Sequence, residues 1–281
     1  MMIRGNSGFK VEYGQGRDAC YVIKSAPDYH SIPRLVRQMK KQMAQRNEMR
    51  LPSNVRIPFA EQRSHDTWAI SRIHGVNIFD LAHSERKLAF QQVLGLVGRY
   101  VVQGQLVNVM PKVFRDKCAV VAATCSKNHR GMNAQLAAEA QKLVATVSDR
   151  LAAKRSRMLL GPCHGDLTFG NMLWDGEGFL WVFDFLDTFL ESPLMDLVKL
   201  RQDTLCRWTW GHMGSKEDVP PALHETLDME LMLYVSRRSW ARDWFPEMSA
   251  LNLARVFQYS TNEAELHFLM ARAKGELCLT F

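Results

Sequence analysis

LGPCHGDLTFGNMLWDGEGFLWVFDFLD, residues 160–187, is the stretch whose reading decides this chain. It carries Asp166, four intervening residues, Asn171, and further on Asp184. Asp175-Gly176-Glu177-Gly178 is a strong turn signal between the apolar runs 172–174 and 179–183, so a hairpin is predicted. Folding back about Gly176 and Glu177 pairs Phe169 with Asp184 and Asn171 with Val182. On that register the side chains of Asn171 and Asp184 can approach one Mg²⁺, with Asp166 one turn of loop away. Phosphoryl transfer needs such a set: oxygen ligands for Mg²⁺, and a carboxylate to orient the attacking hydroxyl and take its proton.

An ordinary hairpin can also expose Asp and Asn, and Asp-x₄-Asn alone would be weak evidence. The wider pattern is more specific. His164-Gly165-Asp166-x₄-Asn171 followed by Phe183-Asp184-Phe185 resembles the signature of the aminoglycoside phosphotransferase and choline kinase superfamily, the kinase-like small-molecule phosphotransferases. It is similar to the protein-kinase catalytic loop and metal aspartate, with Gly165 where protein kinases carry Arg.

The resemblance implies an α+β, two-lobed protein-kinase-like fold. Residues 1–74 would form a small antiparallel β N-lobe with one main helix, and residues 75–281 a mainly helical C-lobe. It implies ATP- and Mg²⁺-dependent transfer of the γ-phosphate to a hydroxyl of a small molecule such as an amino alcohol, aminoglycoside, sugar or glycan precursor. Asp166 would be catalytic, and Asn171 and Asp184 would hold the metal. His164 and Asp196 would support the catalytic loop, while Asp187 and Glu191 would lie nearer the substrate. Asp196 also reads as a first-turn acid favoured by the helix dipole, and both roles can hold together.

Upstream, Gly5-Asn6-Ser7-Gly8 reads as a glycine loop, residues 9–13 as a strand, Gly14-Gln15-Gly16-Arg17 as a turn, and 19–24 as a strand, within three short strands over 1–25. By the resemblance, Gly5, Ser7 and Gly8 lie over the ATP phosphates, where backbone N–H groups bind. Tyr21-Val22-Ile23-Lys24 resembles the strand whose lysine holds the α- and β-phosphates. A lysine on a strand is otherwise simply solvated. Residues 34–50 read as a helix with Leu35, Met39 and Met43 on one stripe. The family expects a glutamate there to pair with Lys24, but its positions hold Lys40 to Met43, which leaves Glu48 as the candidate. Residues 55–59 and 67–73 would complete a five-stranded sheet. Arg72-Ile73-His74-Gly75 then resembles the hinge, with Ile73 at the adenine and His74 structural.

Residues 84–110 and 132–155 carry apolar positions at 3.6-residue spacing and read as scaffold helices, whereas 111–131 has no clear assignment. Helices are expected over 194–210, 222–245 and 251–272, with 211–221 and 246–250 as separators. The aromatic group Trp208, Trp210, Tyr234, Trp240, Trp244 and Phe245 reads as core, or as a surface for a sugar or quaternary ammonium.

Composition frames these motifs. Hydrophobic content is 47% and charged content 23%, as in a globular protein. Residues 1–75 hold 13 Lys and Arg against 6 Asp and Glu; the remainder holds 23 of each, so the whole net charge of +7 lies in the first quarter. A nucleotide triphosphate suits that excess, and so does a solvated basic helix face. Arg99 and Asp184 interrupt the longest apolar runs, so no membrane span or signal peptide is expected. The six cysteines lack metal spacing or a disulfide framework, which points to reduced thiols and the cytoplasm.

Two other readings are open. A protein kinase is disfavoured by Gly165 and by the short segment between Asp184 and Asp196. A nucleotide-binding pseudokinase-like module is suggested by the missing glutamate, and disfavoured by the intact Asp166, Asn171 and Asp184.

Overall fold

The computed structural model describes residues 8–129, 131–209, 221–260 and 262–281. They form two compact units, discontinuous in sequence: 1–99 with 164–188, and 100–163 with 189–281. This division by compactness puts residues 164–188 with the start of the chain, whereas the lobe boundary implied by the resemblance lies at 74/75.

In the first unit, β1 (Lys10–Tyr13), β2 (Tyr21–Ser25), β4 (Ala60–Ser64) and β5 (Thr67–Ser71) form an antiparallel sheet in the order β1-β2-β5-β4. Helix α1 (Ile32–Glu48) starts two residues before the expected 34 because Pro33, with its fixed φ, sits in its first turn. Leu35 and Met39 are fully buried against Phe9, Ala60 and Trp68, and Met43 packs at their edge, as the stripe predicts. Each such side chain contributes about 1.5–3 kcal/mol by leaving water.

The expected five-stranded sheet is corrected to four described strands. The short β3 (Val55–Arg56) leaves it and pairs in parallel with β9 (Leu180–Val182), which is antiparallel to β8 (Met172–Trp174). Ala-Glu-Gln-Arg-Ser of β4 was not expected as a strand. It lies at the sheet edge with three residues exposed, so it lacks an apolar alternation to read. The first of the three strands read over 1–25, with Gly5 and Ser7, lies outside the described residues.

The hairpin is present, but its register is one residue from expectation: Met172 faces Val182, Leu173 faces Trp181 and Trp174 faces Leu180. The turn is the cause. Asp175 Oδ1 accepts from the N–H groups of both Glu177 and Phe179, at 2.9 Å each, and Gly178 takes φ +87°. Asp175 N–H closes on Phe179 O at 3.1 Å, so the loop centres on Glu177 rather than between Gly176 and Glu177. Asn171 therefore stands opposite Phe183, whose N–H donates to Asn171 O at 3.1 Å.

Helix α2 (His83–Gln103) ends earlier than the expected 110; β6 (Gln105–Val107) follows and pairs with β7 (Met158–Leu160). The unassigned 111–131 is mostly helix α3 (Pro111–Asn128), opened by a first-turn proline. Its buried positions Phe114, Cys118, Val121 and Cys125 do keep helical spacing. Two of the four are cysteines rather than the aliphatic residues that mark a helical stripe.

Helix α4 (Ala134–Ala153) packs beside α3, followed along the chain by α5 (Pro193–Cys206), α6 (Pro221–Ser236), α7 (Ser239–Arg242), α8 (Phe245–Val256) and α9 (Glu263–Glu276). The expected separator at 246–250 is overturned, because Pro246 begins α8 rather than breaking a helix. Every residue of α8 but Arg255 is buried, so it shows no polar face. Arg201 joins Glu276 at 2.7 Å and Asp228 in a mostly buried cluster, and these partners raise its pKa against the cost of burial. Trp244 stacks on Phe114 and Phe245 is fully buried, so these two aromatics are core. Trp208 lies beside Tyr259, Arg238 covers Tyr234, and Trp210 lies outside the described residues.

Candidate active site

The site is built on the first unit. On β2, Val22 and Lys24 share a face, opposite Ile70 and Trp68 of β5 and, for Lys24, Val11 of β1. Lys24 is 4% exposed. Its Nζ donates to Asp184 Oδ1 at 2.5 Å and to Gln38 Oε1 at 3.2 Å, and lies 4.9 Å from the Phe9 ring centroid. The resemblance had made Glu48 the candidate partner; this is corrected. Glu48 ends α1 and is exposed, while Lys24 meets a glutamine six residues after the helix start.

Asp184 follows β9 at φ +64°, a left-handed conformation that costs about 1–2 kcal/mol for a residue with a side chain. Aspartate tolerates it better than most. Its N–H donates to Gln42 Oε1 at 3.3 Å, and Gln42 Nε2 donates to Pro58 O at 3.1 Å. Gln42 is fully buried. Across the hairpin, Asn171 gives its amide nitrogen to Asp166 twice, to the backbone oxygen at 2.8 Å and to Oδ2 at 3.1 Å.

The loop between β7 and β8 is held by its histidine and glycine. His164 Nε2 bonds Phe183 O at 2.8 Å, Nδ1 accepts from Asp166 N–H at 3.3 Å, and the ring lies 4.1 Å from that of Phe185. These partners select the neutral tautomer with the proton on Nε2. Burial lowers the pKa to about 4, against the pull of Asp166 and Asp184, so the imidazole is neutral at pH 7. Gly165 has φ +88°, and a Cβ there would lie 2.0 Å from Leu186 O. No side chain fits, which is the physical reason for glycine at this place. Gly165→Ala should therefore shift the loop, lowering Tm by several degrees and kcat with it. Gly176→Ala, which meets nothing within 4 Å, is the control and should change neither. Equal melting of the two variants would refute the packing argument.

Phe169 closes the loop from below, packed edge-on against Phe79 and Phe90, and its carbonyl accepts from Asn77 Nδ2 at 2.8 Å. The hinge-like stretch meets the hairpin through paired bonds of 2.9 Å between Val76 and Trp174, where Gly75 passes too close to Trp174 O for a side chain.

A cavity of about 360 Å³ unites these parts. Its polar wall includes Lys24, Asn171 and Asp184. Its apolar wall includes Val11, Val22, Ile70 and Leu173, and Arg72 and Ile73 lie at the hinge side. Such a slot, apolar with a few convergent polar groups, is the usual form of a small-molecule site.

Other expected residues are placed less centrally. Gly8 is exposed at φ +76°. Asp187 is exposed and paired with Arg37 at 2.8 Å. In the second unit Glu191 accepts from Cys163 Sγ at 3.3 Å, and Asp196 is fully buried near enough to Tyr100 to add to the burial that raises the tyrosine pKa. Asp203, considered as a substrate wall, is buried and holds Thr209 N–H at 2.7 Å, a structural use. Gln38, Gln42 and Asn77 were missed. The signal available was polar Gln38 and Gln42 interleaved with Leu35 and Met39 on the buried stripe of α1.

The fold is that of kinase-like phosphotransferases. Solved structures similar to this chain include aminoglycoside phosphotransferase APH(4)-Ia with ADP and hygromycin B (TM-score 0.59, 15% identity, 99% of this chain and 92% of that one). They include APH(2'')-IIa with streptomycin and ATP (0.56, 12% identity, 98% and 90%). A glucosamine kinase is similar as well (0.59, 12% identity, 97% and 81%). By sequence, residues 104–217 match the model of the phosphotransferase enzyme family, a stretch that carries the loop, the hairpin and Asp184 but not the β1–β5 strands. The chain thus shares the fold of these enzymes and, over residues 104–217, resembles the phosphotransferase enzyme family in sequence. Among curated proteins no sequence matches.

Proposed function

We propose that the chain transfers the γ-phosphate of ATP to a hydroxyl of a small molecule, with Mg²⁺ as cofactor. The observation that carries this reading is the joining of Lys24 and Asp184, 160 residues apart in sequence, in one cavity with Asn171, itself bonded to Asp166. Among the described residues no three His, Cys, Asp or Glu cluster as a metal site. That fits Mg²⁺, which is commonly held by one or two carboxylates with substrate phosphates and waters. Asp184 and the Asn171 side-chain oxygen would be the protein ligands, since the Asn171 nitrogen is committed to Asp166. Bound there, the ion supplies charge neutralisation to the phosphoryl oxygens.

In this reading Lys24 grips the phosphates, and the adenine lies along the apolar strand faces beside Ile73. Gly8 lies on the phosphate side. Asp166 orients the acceptor hydroxyl and takes its proton, while neutral His164 fixes the loop backbone. Asp187 lies on the acceptor side. Residues 1–74 serve as the nucleotide lobe.

Purified protein with ATP, Mg²⁺ and a panel of alcohols, amino alcohols and sugars tests the proposal. Acceptor-dependent ADP release is expected with at least one class. Nucleotide binding without turnover across the panel would instead favour the binding-module reading. Lys24→Ala should raise the KM for ATP about 10- to 100-fold, the worth of one hydrogen bond to a charged group, with a smaller effect on the acceptor KM. Unchanged ATP kinetics would remove Lys24 from the phosphate site.

A further inference from the structure

Helix α1 meets the Lys24–Asp184 pair with two neutral amides one turn apart. Gln38, 1% exposed, accepts from the lysine; Gln42, 0% exposed, accepts from the Asp184 backbone N–H and donates to Pro58 O. The second position is chemically restrictive. Its side chain must accept and donate at once, with the reach of two methylenes, inside the protein. A glutamate accepts but cannot donate when ionised, and it would place a second buried negative charge beside Asp184. A methionine fills the volume but does neither.

Resting on the phosphotransferase reading, we infer that Gln42 is the positioning residue for the metal-binding carboxylate. The Asp184 backbone leaves β9 in a left-handed turn, outside the strand hydrogen bonds that fix its neighbours up to Val182. The Gln42 amide ties that turn to α1 on one side and to the chain at Pro58 on the other. Pro58 itself lines the cavity with Asp184. Gln38 has the complementary task of holding Lys24 without neutralising it. A carboxylate there would compete with Asp184, and later with phosphate, for the ammonium; an amide leaves the full positive charge available.

The two glutamines separate in a binding experiment that requires no acceptor. Affinity for ADP is measured calorimetrically with and without Mn²⁺, and Mn²⁺ binding to the ADP complex is followed by electron paramagnetic resonance. Gln42→Met should weaken Mn²⁺ in the ADP complex about 10- to 100-fold, the usual loss when a group behind a metal ligand is removed. ADP affinity without metal should hold within about twofold. Gln38→Met should weaken ADP with and without metal alike. Gln42→Glu, which keeps the acceptor for the Asp184 N–H, should bind Mn²⁺ at least as well as Gln42→Met, and it stands in if the methionine variant does not fold. Wild-type protein that binds no Mn²⁺ with ADP would overturn the phosphotransferase reading itself. Wild-type binding that Gln42→Met leaves unchanged, or a Gln42→Glu variant weaker than Gln42→Met, would overturn this inference alone.

Discussion

Asp166→Asn should lower kcat by about 10²- to 10⁴-fold, the contribution of a positioned general base, while Mg²⁺ and ATP still bind. The substitution keeps the shape of the side chain and its contact with Asn171, whose amide nitrogen lies 3.1 Å from Oδ2. It removes the carboxylate proposed to take the hydroxyl proton as the O–P bond forms. The backbone tie from Asn171 to Asp166 O, at 2.8 Å, does not involve the side chain and should hold the loop in place. If Asp166 merely capped its loop, Tm would fall and kcat would follow it only in proportion. Measuring ATP affinity, Tm and kcat on one variant separates these outcomes. Nucleotide affinity lost in step with activity would sink the assignment of Asp166 as base.

Asp184→Ala should reduce turnover by about 10³-fold or more, since a lost metal ligand forfeits several kcal/mol of charge stabilisation at about 1.36 kcal/mol per tenfold. The structure adds a stability cost. Lys24 is 4% exposed and loses its carboxylate partner, and alanine is less at ease than aspartate at φ +64°. Because the Asp184 side chain is 28% exposed, water offsets part of the loss, and a decrease of about 1–3 kcal/mol is expected rather than the full value for a buried pair. Asp184→Asn tolerates the left-handed backbone and isolates the charge. It should lose nearly as much activity with a smaller change in Tm. Full activity in either variant, at any Tm, would refute the metal assignment.

The eight residues around these positions show how unevenly a sequence discloses a site. His164, Asp166, Asn171 and Asp184 were legible because the proposed chemistry needs fixed residue types at fixed spacing within one short stretch. Lys24 was legible through its strand context. Gln38, Gln42 and Asn77 were not, because each acts on a partner distant in the chain: 14 residues for Gln38 to Lys24, 142 for Gln42 to Asp184, and 92 for Asn77 to Phe169. The family glutamate, sought by counting, was replaced by an amide at an earlier position. The start of α1 at Ile32 sets which residues face Lys24, and a count made from the lysine did not include that phase.

The same division runs through the fold. The stripe of Leu35 and Met39, the turn at 175–178 and the loop from His164 to Asn171 are local properties of pattern and spacing, and the sequence determined them. Where Gly165 sits, a carbonyl contributed by Leu186 explains the residue, though the motif had announced it without that reason. Hairpin register was decided by Asp175, whose carboxylate captures two backbone N–H groups and recentres the loop by one residue. The first half of helix α8, read as a separator over 246–250, and the strand Ala60–Ser64 were invisible for opposite reasons, one buried on nearly all sides and the other polar at an edge. Periodicity reports only a difference between two faces, so an element with no such difference is assigned by the neighbours that fold around it. The pairing of Lys24 with Asp184 belongs to that second kind: each charge was readable, but only the packed chain brings them to 2.5 Å.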